Sequence, residues 1–274
     1  MTLTASNYYS PEANASYYSV SQIKQFIECP SAAVASLRGD YVRPKTTALL
    51  VGGYVDAYFS GELEEFCQAN PEIYTKQGRL KADFVKAQEI IARIEQDELA
   101  MMMLNGRKQE IVTGTIRGYP FKAKLDVLLD AEQCKAIAAR FPNMGELIFA
   151  DGAIVDLKIV KDFEPLYRPE EGRMHFINYW RYGLQGATYQ ELVRQQTGNK
   201  LPFFILAATK QDPPDIRLFG VPQADMDVQL DLMSSEMHSI DSIKQGKETA
   251  ERCESCAWCR QSRVLTGAMS MELY

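Results

Sequence analysis

The spacing of apolar residues changes near residue 110, and this change constrains the fold more than any other feature of the chain. Upstream, apolar residues recur every three to four positions, which is typical of amphipathic helices. Downstream, they alternate with polar residues on both sides of Arg117-Gly118, which predicts a β-hairpin. The upstream pattern predicts helices over residues 20–29, 31–38, 47–59 and 80–104. The downstream pattern predicts strands over 110–116, 119–129, 154–160, 202–209 and 216–221, and helices over 132–141, 178–197 and 225–245.

This order of elements predicts an α/β or α+β domain in which helices flank a central mixed sheet. The chain has 274 residues, of which 46% are hydrophobic and 24% charged, and this composition is ordinary for a soluble globular protein. It excludes a mostly disordered chain, a collagen-like fibre and a coiled coil. We predict a flexible arm over 1–18, a single domain over 19–262 and a C-terminal tail over 263–274.

The sequence carries no recognisable signal for export or membrane insertion. Residues 1–16 are polar and Tyr-rich, and no apolar run reaches the roughly 18 residues that a membrane helix needs. We therefore predict a cytoplasmic protein without a membrane partner, whose six cysteines are reduced, metal-bound or buried rather than paired in disulfides. The net charge of −6 argues against a basic nucleic-acid coat. An enzyme can still meet phosphate through metal ions and a local basic channel.

An aspartate and a lysine share one face of the predicted strand 154–160. Asp156 and Lys158 are two residues apart, so both side chains leave the strand on the same side. Charged groups among β-branched residues are unfavourable unless something compensates them. Asp126 on a neighbouring strand could share a Mg²⁺ or Mn²⁺ with Asp156, and such an ion activates water and polarises a phosphodiester. The alternative interpretation is a surface salt bridge on an edge strand.

Three ordered motifs resemble those of a known enzyme family. Asp126, then Asp156-Leu-Lys158, then Gln185-Gly-Ala-Thr-Tyr189 resemble the motifs of PD-(D/E)xK nucleases of the RecB type. Residues 19–30 and 50–58 also resemble helices of these enzymes. The nearest group is the RecE-like exonucleases of phage and prophage recombination systems, and the resemblance spans about residues 17–262.

The resemblance implies a restriction-endonuclease-like core and hydrolysis of phosphodiester bonds from DNA ends, which leaves a 5′-phosphate. In this interpretation Asp126 and Asp156 bind Mg²⁺, and the Leu157 carbonyl is a further ligand. Lys158 would orient or activate the attacking water. Gln185 and Tyr189, which are four residues apart and share one helix face, would position the substrate backbone.

Two acidic residues near the predicted site have alternative interpretations. Asp56 occupies the position of the family's histidine, a metal ligand in many members, and aspartate can also bind Mg²⁺. Otherwise Asp56 is a solvated helix residue. Glu110 either reaches the site from the partner strand or occupies a solvated edge position.

The implied partner is DNA, bound without sequence preference because no base-reading motif is present. The resemblance also implies a single-strand annealing protein as partner and a homo-oligomer. Three other functions stay open: a nuclease that trims single strands or cuts internally, a non-catalytic DNA-end-binding module, and a zinc-stabilised protein-interaction domain. Basic residues near the predicted site could form a phosphate-tracking groove: Lys122, Lys124, Lys161, Arg173, Arg181 and Arg194.

The C-terminal run Cys253-Glu-Ser-Cys256-Ala-Trp-Cys259 offers three thiolates, and a metal centre of this kind needs a fourth ligand. Cys29, just before Pro30, is the natural candidate. Iron–sulfur members of the RecB-like nucleases likewise join an N-terminal cysteine to three C-terminal ones. The resemblance therefore implies a [4Fe–4S] cluster, with a structural Zn²⁺ or reduced thiols as the alternatives.

Overall fold

Five strands form a mixed sheet at the centre of the protein. The computed structural model describes residues 2–147, 151–169 and 171–268. The described residues contain the strands of this sheet and two shorter ones: β1 (Arg107–Ile116), β2 (Tyr119–Leu129), β3 (Ala153–Val160), β4 (Leu166–Arg168), β5 (Gly172–Met174), β6 (Phe203–Thr209) and β7 (Ile216–Gly220). The order in the sheet is β1-β2-β3-β6-β7, in which β3 and β6 run parallel and the other neighbours antiparallel. The short strands β4 and β5 form a separate hairpin that was not predicted.

Helices cover both faces of the sheet. They are α1 (Pro11–Ser16), α2 (Val20–Glu28), α3 (Pro30–Arg38), α4 (Thr47–Ser60), α5 (Leu63–Ala69), α6 (Ala82–Glu95), α7 (Glu98–Leu104), α8 (Ala131–Arg140), α9 (Phe176–Tyr179), α10 (Tyr182–Thr197), α11 (Gln223–Lys244) and α12 (Ala257–Gln261). Short 3₁₀ helices span Pro71–Ile73 and Pro142–Leu147. The predicted mixed sheet with flanking helices is therefore confirmed.

Two hydrophobic clusters lie on opposite faces of the sheet, and strand β3 contributes to both. Ile154 and Val160 pack in the cluster formed with α2, α3, α10 and α11. Val155 and Leu157 pack in the cluster formed with α4, α6, α7 and α8. This alternation is the two-residue period of a strand covered on both sides. Charged side chains on β3 are consequently largely shielded from water.

The predicted hairpin around Arg117-Gly118 is present. Ile116 pairs with Tyr119, and both turn residues have positive φ, 53° at Arg117 and 85° at Gly118. Positive φ at both central residues is the geometry of a type I′ turn, whose twist matches that of the flanking strands.

The predicted helix over 80–104 is wrong in one respect, because it is two helices. Helix α6 ends at Glu95, and α7 begins after Asp97, whose side chain accepts a hydrogen bond from the Ala100 N–H at 2.9 Å. An aspartate in this position caps a new helix and favours a break in the old one.

The N-terminal segment, for which a flexible arm is predicted over 1–18, packs against the sheet. Tyr8, Ala13 and Tyr18 are buried, and the Tyr18 N–H donates to the Pro120 carbonyl of β2 at 2.8 Å. The ammonium of Lys122 donates to the Tyr8 carbonyl and to Asn14 Oδ1. The domain limits at 19 and 262 stay predictions, and residues 269–274 of the predicted tail lie outside the described residues.

Within the described ranges, no helix is both long enough and apolar enough to cross a membrane.

Candidate active site and cysteine cluster

Strands β2 and β3 separate where two aspartates face each other. Their pairing runs from Leu129 with Ala153 to Val127 with Val155. Continued by one step, this register would put Asp126 opposite Asp156, and the charges of the two carboxylates interact. There the Leu157 N–H donates to Asp126 Oδ2 at 3.0 Å, so a carboxylate takes the place of a backbone acceptor. The fork between the strands therefore brings together the two aspartates predicted from sequence.

Asp156 is 1% exposed and contacts two of the other predicted site residues, Lys158 and Gln185. Lys158 Nζ lies 2.5 Å from Asp156 Oδ2, and Gln185 Nε2 of α10 donates to Asp156 Oδ1 at 2.6 Å. The same Gln185 nitrogen donates to Tyr189 Oη at 3.1 Å. Since β3 lies between β2 and β6, the alternative of a surface salt bridge on an edge strand is wrong.

The site concentrates negative charge in a poorly solvated place. Burial raises the pKa of Asp156, and the Asp126 carboxylate raises it further, while Lys158 opposes the shift. Burial lowers the pKa of Lys158, but Asp156 and Asp126 together raise it above the ordinary lysine value. Lys158 is therefore a charged ammonium at neutral pH.

Helix α4 brings a third carboxylate to this place. Asp56 is half-buried, and burial followed by the Asp126 charge raises its pKa. Its two carboxylate oxygens each lie 3.4 Å from Gln109 Nε2. The structure thus places Asp56 beside Asp126 rather than on a solvated helix face. Glu110, by contrast, pairs with Arg107 at 3.3 Å.

Gln109 is a site residue that the sequence did not indicate. In the β1–β2 register Lys108 pairs with Val127 and Glu110 with Leu125, so Gln109 stands opposite Asp126. Its φ is 52°, which is uncommon for a residue other than glycine. A residue with positive φ interrupts the regular alternation of a strand. The pattern of apolar and polar residues therefore gives no signal for the position of Gln109.

The four predicted cysteines meet at a second place, where the two ends of the chain come together. The Sγ atoms of Cys29, Cys253, Cys256 and Cys259 all lie within 4.8 Å of one another. Cys29 stands between α2 and α3, and its sulfur is 3.6 Å from that of Cys259 on α12. Nearby, the Trp258 indole N–H donates to Ser31 Oγ at 2.9 Å.

Comparison with known proteins identifies the family of this chain. A family profile described as "PDDEXK-like domain of unknown function (DUF3799)" matches residues 19–136 and 144–262. The chain belongs to this PDDEXK-like family. The crystal structure of a candidate exonuclease from Eubacterium rectale is similar to this PDDEXK-like protein over its full length. The two share 42% identity and a TM-score of 0.90, over 100% of this chain and 98% of the other. Among curated proteins, none matches.

The carboxylate oxygens of the PDDEXK-like site are suitable ligands for a hard divalent cation. Asp156 Oδ2 is buried and, within the described chain, has no hydrogen-bond donor of regular geometry; its neighbour is the Lys158 ammonium. This oxygen and the carboxylates of Asp56 and Asp126 are the ligand type that Mg²⁺ and Mn²⁺ prefer. A cation there would also relieve the repulsion between the three carboxylates.

The sulfur donors suit a soft or borderline metal. The Cys256 N–H and the Ser255 hydroxyl both donate to Cys253 Sγ, at 3.3 and 3.5 Å. Burial acts to raise the pKa of Cys253, but these hydrogen bonds prevail and lower it to about 6. A thiolate, rather than a thiol, is the form that binds metal.

The predicted basic groove is only partly available to a ligand. Lys122 is 1% exposed and holds the N-terminal segment, so it cannot track phosphates. Arg194 is engaged with Glu191 at 2.8 Å. Lys124 lies 5.5 Å from the centroid of the exposed Tyr9 ring and lowers the pKa of Asp56, which places it near the carboxylates.

Proposed function

We propose that this chain is a divalent-metal-dependent DNA exonuclease that hydrolyses phosphodiester bonds from DNA ends. One observation carries the proposal: Asp126 and Asp156 lie close enough to interact electrostatically where β2 and β3 separate, and Lys158 Nζ lies 2.5 Å from Asp156 Oδ2. The E. rectale protein's description as a candidate exonuclease supports the same reaction.

Asp126, Asp156, Asp56 and the Leu157 carbonyl would hold the metal. When bound, a divalent ion lowers the pKa of a water and polarises the phosphodiester. Lys158 keeps its proton at neutral pH because Asp156 and Asp126 stabilise the ammonium. We therefore assign Lys158 the orientation of the attacking water or of a phosphate oxygen by hydrogen-bond donation.

Gln185 and Tyr189 are predicted to contact the DNA backbone, but within the protein Gln185 contacts Asp156 and Tyr189. Gln185 donates to Asp156, so it holds the orientation of this carboxylate. Tyr189 stays a protonated phenol, since burial and then Asp156 raise its pKa well above the ordinary value. We propose that both residues position Asp156; direct contact with the DNA backbone stays a prediction.

The wider biological role rests on the resemblance to RecE-like exonucleases. It comprises DNA recombination in a prophage setting, a cytoplasmic location, sequence-independent binding of DNA, a single-strand annealing protein as partner and a homo-oligomeric assembly.

Nuclease assays with different DNA forms test the proposal. Purified protein is incubated with linear duplex, circular duplex and single-stranded DNA, with Mg²⁺ or with a chelator. We expect Mg²⁺-dependent degradation of linear duplex and no cleavage of the circle. Cleavage of the circle would instead indicate internal cutting, and binding of ends without degradation would indicate the non-catalytic module.

We further propose that the four cysteines hold a metal centre that joins the chain ends. Zn–S bonds of about 2.3 Å in a tetrahedron put the sulfurs about 3.8 Å apart. The Cys29–Cys259 and Cys253–Cys259 sulfur distances of 3.6 and 3.9 Å support this spacing. A [4Fe–4S] cluster carries its four thiolates on four separate irons and needs a wider arrangement. We therefore favour Zn²⁺ over the cluster predicted from sequence.

Elemental analysis and visible absorption of anaerobically purified protein distinguish these centres. We expect a colourless protein with one zinc per chain. A brown protein that contains iron and acid-labile sulfide would indicate the cluster. A stable protein that contains no metal would indicate that the four cysteines are reduced thiols.

A further inference from the structure

A second lysine lies beside Lys158 and has no role in the site described so far. Lys24 is half-buried on α2, far from β3 in sequence. Its ammonium lies 5.0 Å from the ring centroid of Tyr182, the first residue of α10. The Lys158 ammonium lies 5.2 Å from the same centroid. Both ammonium groups therefore lie near the Tyr182 ring, and their charges interact.

Lys24 lacks a carboxylate of its own. Among the ion pairs of the described residues, none includes Lys24, and its hydrogen bond goes to the neutral Trp180 carbonyl at 2.7 Å. Burial and then Lys158 lower its pKa to about 8, with a further lowering contribution from Arg181, while Asp156 and Glu28 act in the opposite direction. Glu28 itself pairs with Arg43 at 3.2 Å. A partly desolvated cation next to other cations is unfavourable unless an anion joins it.

The surroundings restrict the kind of anion. The carboxylate of Asp156 is already held by Lys158 and Gln185. An ammonium has three donors, of which the Trp180 carbonyl uses one, so two are left for a ligand. A phosphate group offers several charged oxygens to such donors and accompanies the substrate at every nucleotide.

We propose that Lys24 binds a DNA phosphate next to the scissile one and thereby fixes the strand against Lys158. This inference rests on the proposed nuclease function and adds a substrate-binding residue to it. In this arrangement Lys24 contributes to binding, whereas Lys158 serves the reacting phosphate.

The test measures DNA binding over a range of salt concentrations, with Ca²⁺ in place of Mg²⁺ to slow cleavage. Lys24→Gln keeps a donor for the Trp180 carbonyl and removes the charge. We expect the slope of log affinity against log salt to become shallower by about 0.7 to 0.9, the loss of one phosphate contact. Lys24→Arg should retain the wild-type slope, because guanidinium also binds phosphate.

Kinetics separate Lys24 from its neighbour. With Mg²⁺, Lys24→Gln should raise KM about tenfold and lower kcat by less than that. Lys158→Gln should lower kcat on the order of a thousandfold with little change in KM. The control is Lys76→Gln, an exposed lysine in the turn between Thr75 and Gly78, which should change neither quantity.

A wild-type slope and KM in Lys24→Gln, in protein that still degrades DNA, would overturn this inference and leave the nuclease proposal intact. A wild-type protein that neither binds nor degrades DNA would overturn both. If Lys24→Gln is insoluble, Lys24→Met decides, because it also removes the charge and keeps the length of the side chain. A wild-type salt slope and KM in Lys24→Met would overturn the inference.

Discussion

The two candidate metal sites differ in how their ligands are held. The sulfurs of the four cysteines lie within 4.8 Å of one another. Each carboxylate instead contacts a different protein group. Asp126 accepts from the Leu157 N–H, Asp156 contacts Lys158 and Gln185, and Asp56 contacts Gln109. Closed ligand sets are typical of structural metal sites, whereas catalytic sites keep positions open for water and substrate. The comparison predicts that the cysteines maintain the fold and that the carboxylates perform the chemistry.

The largest expected effect concerns the carboxylate site alone. Asp156→Asn should reduce degradation of linear duplex DNA on the order of a thousandfold or more, because it removes a charged metal ligand. The metal content of the cysteines and the unfolding temperature should change little. Asp225→Asn, at an exposed position on α11, is the matched control. Wild-type turnover in Asp156→Asn would show that this residue takes no part in the reaction.

The opposite pattern is expected at the cysteine cluster. Cys256→Ser should lower the free energy of unfolding by about 3 kcal/mol or more, because binding of a structural metal contributes directly to folding. Activity per folded molecule should stay within a few-fold of wild type. Limited proteolysis should cut both chain ends faster, since Cys29 and the tail are no longer joined. The control Cys67→Ser, outside the cluster, should preserve metal content and end protection; equal losses in both variants would contradict the assignment.

A smaller effect is expected at Asp56. Asp56→Asn should raise the Mg²⁺ concentration needed for half-maximal activity about tenfold, because one anionic ligand is lost, with DNA affinity nearly unchanged. Asp56→His should restore activity preferentially with Mn²⁺, since imidazole suits a softer ion. Metal titrations of the initial rate measure both. An unchanged titration curve for Asp56→Asn would show that the helix residue binds no metal.

The smallest expected effect concerns the left-handed backbone at Gln109. Replacement by glycine should relieve strain and raise the free energy of unfolding by up to about 1 kcal/mol. It should also raise the Mg²⁺ requirement a few-fold, because Asp56 loses its neighbouring amide. Arg117→Gly provides the control, since φ is 53° there but the residue lies in the hairpin turn. An equal shift in the Mg²⁺ requirement in both variants would show that Gln109 has no specific role at the metal site.

Sequence periodicity predicted the parts of the site that regular strands hold. Asp156 and Lys158 are two residues apart on β3, and the alternating pattern of residues 119–129 placed Asp126 on a neighbouring strand. The proximity of Cys29 to the tail cysteines followed from the family resemblance and the need for a fourth ligand, and the structure confirms it.

The features that were missed depend on tertiary contacts or on irregular backbone. Lys122 was expected in a solvent-facing groove, but the N-terminal segment supplies its hydrogen-bond acceptors and buries it. Polar, Tyr-rich composition does not reveal such packing, because the acceptors are a backbone carbonyl and one asparagine. Lys24 was missed for a similar reason, since Tyr182 approaches it across more than 150 residues of sequence.

The fork between β2 and β3 has a practical consequence for trapping a complex with DNA. Asp126 accepts the hydrogen bond of a β3 backbone N–H, so Asp126→Ala would leave a donor in the sheet without its acceptor. Such a loss costs about 1 to 3 kcal/mol and would let the strands shift at the position where the substrate must sit. Asp156 accepts its hydrogen bond from the flexible Gln185 side chain, which an asparagine oxygen can still satisfy. A crystallographer who seeks an undistorted, uncleaved complex should therefore inactivate the protein at Asp156 and leave Asp126 untouched.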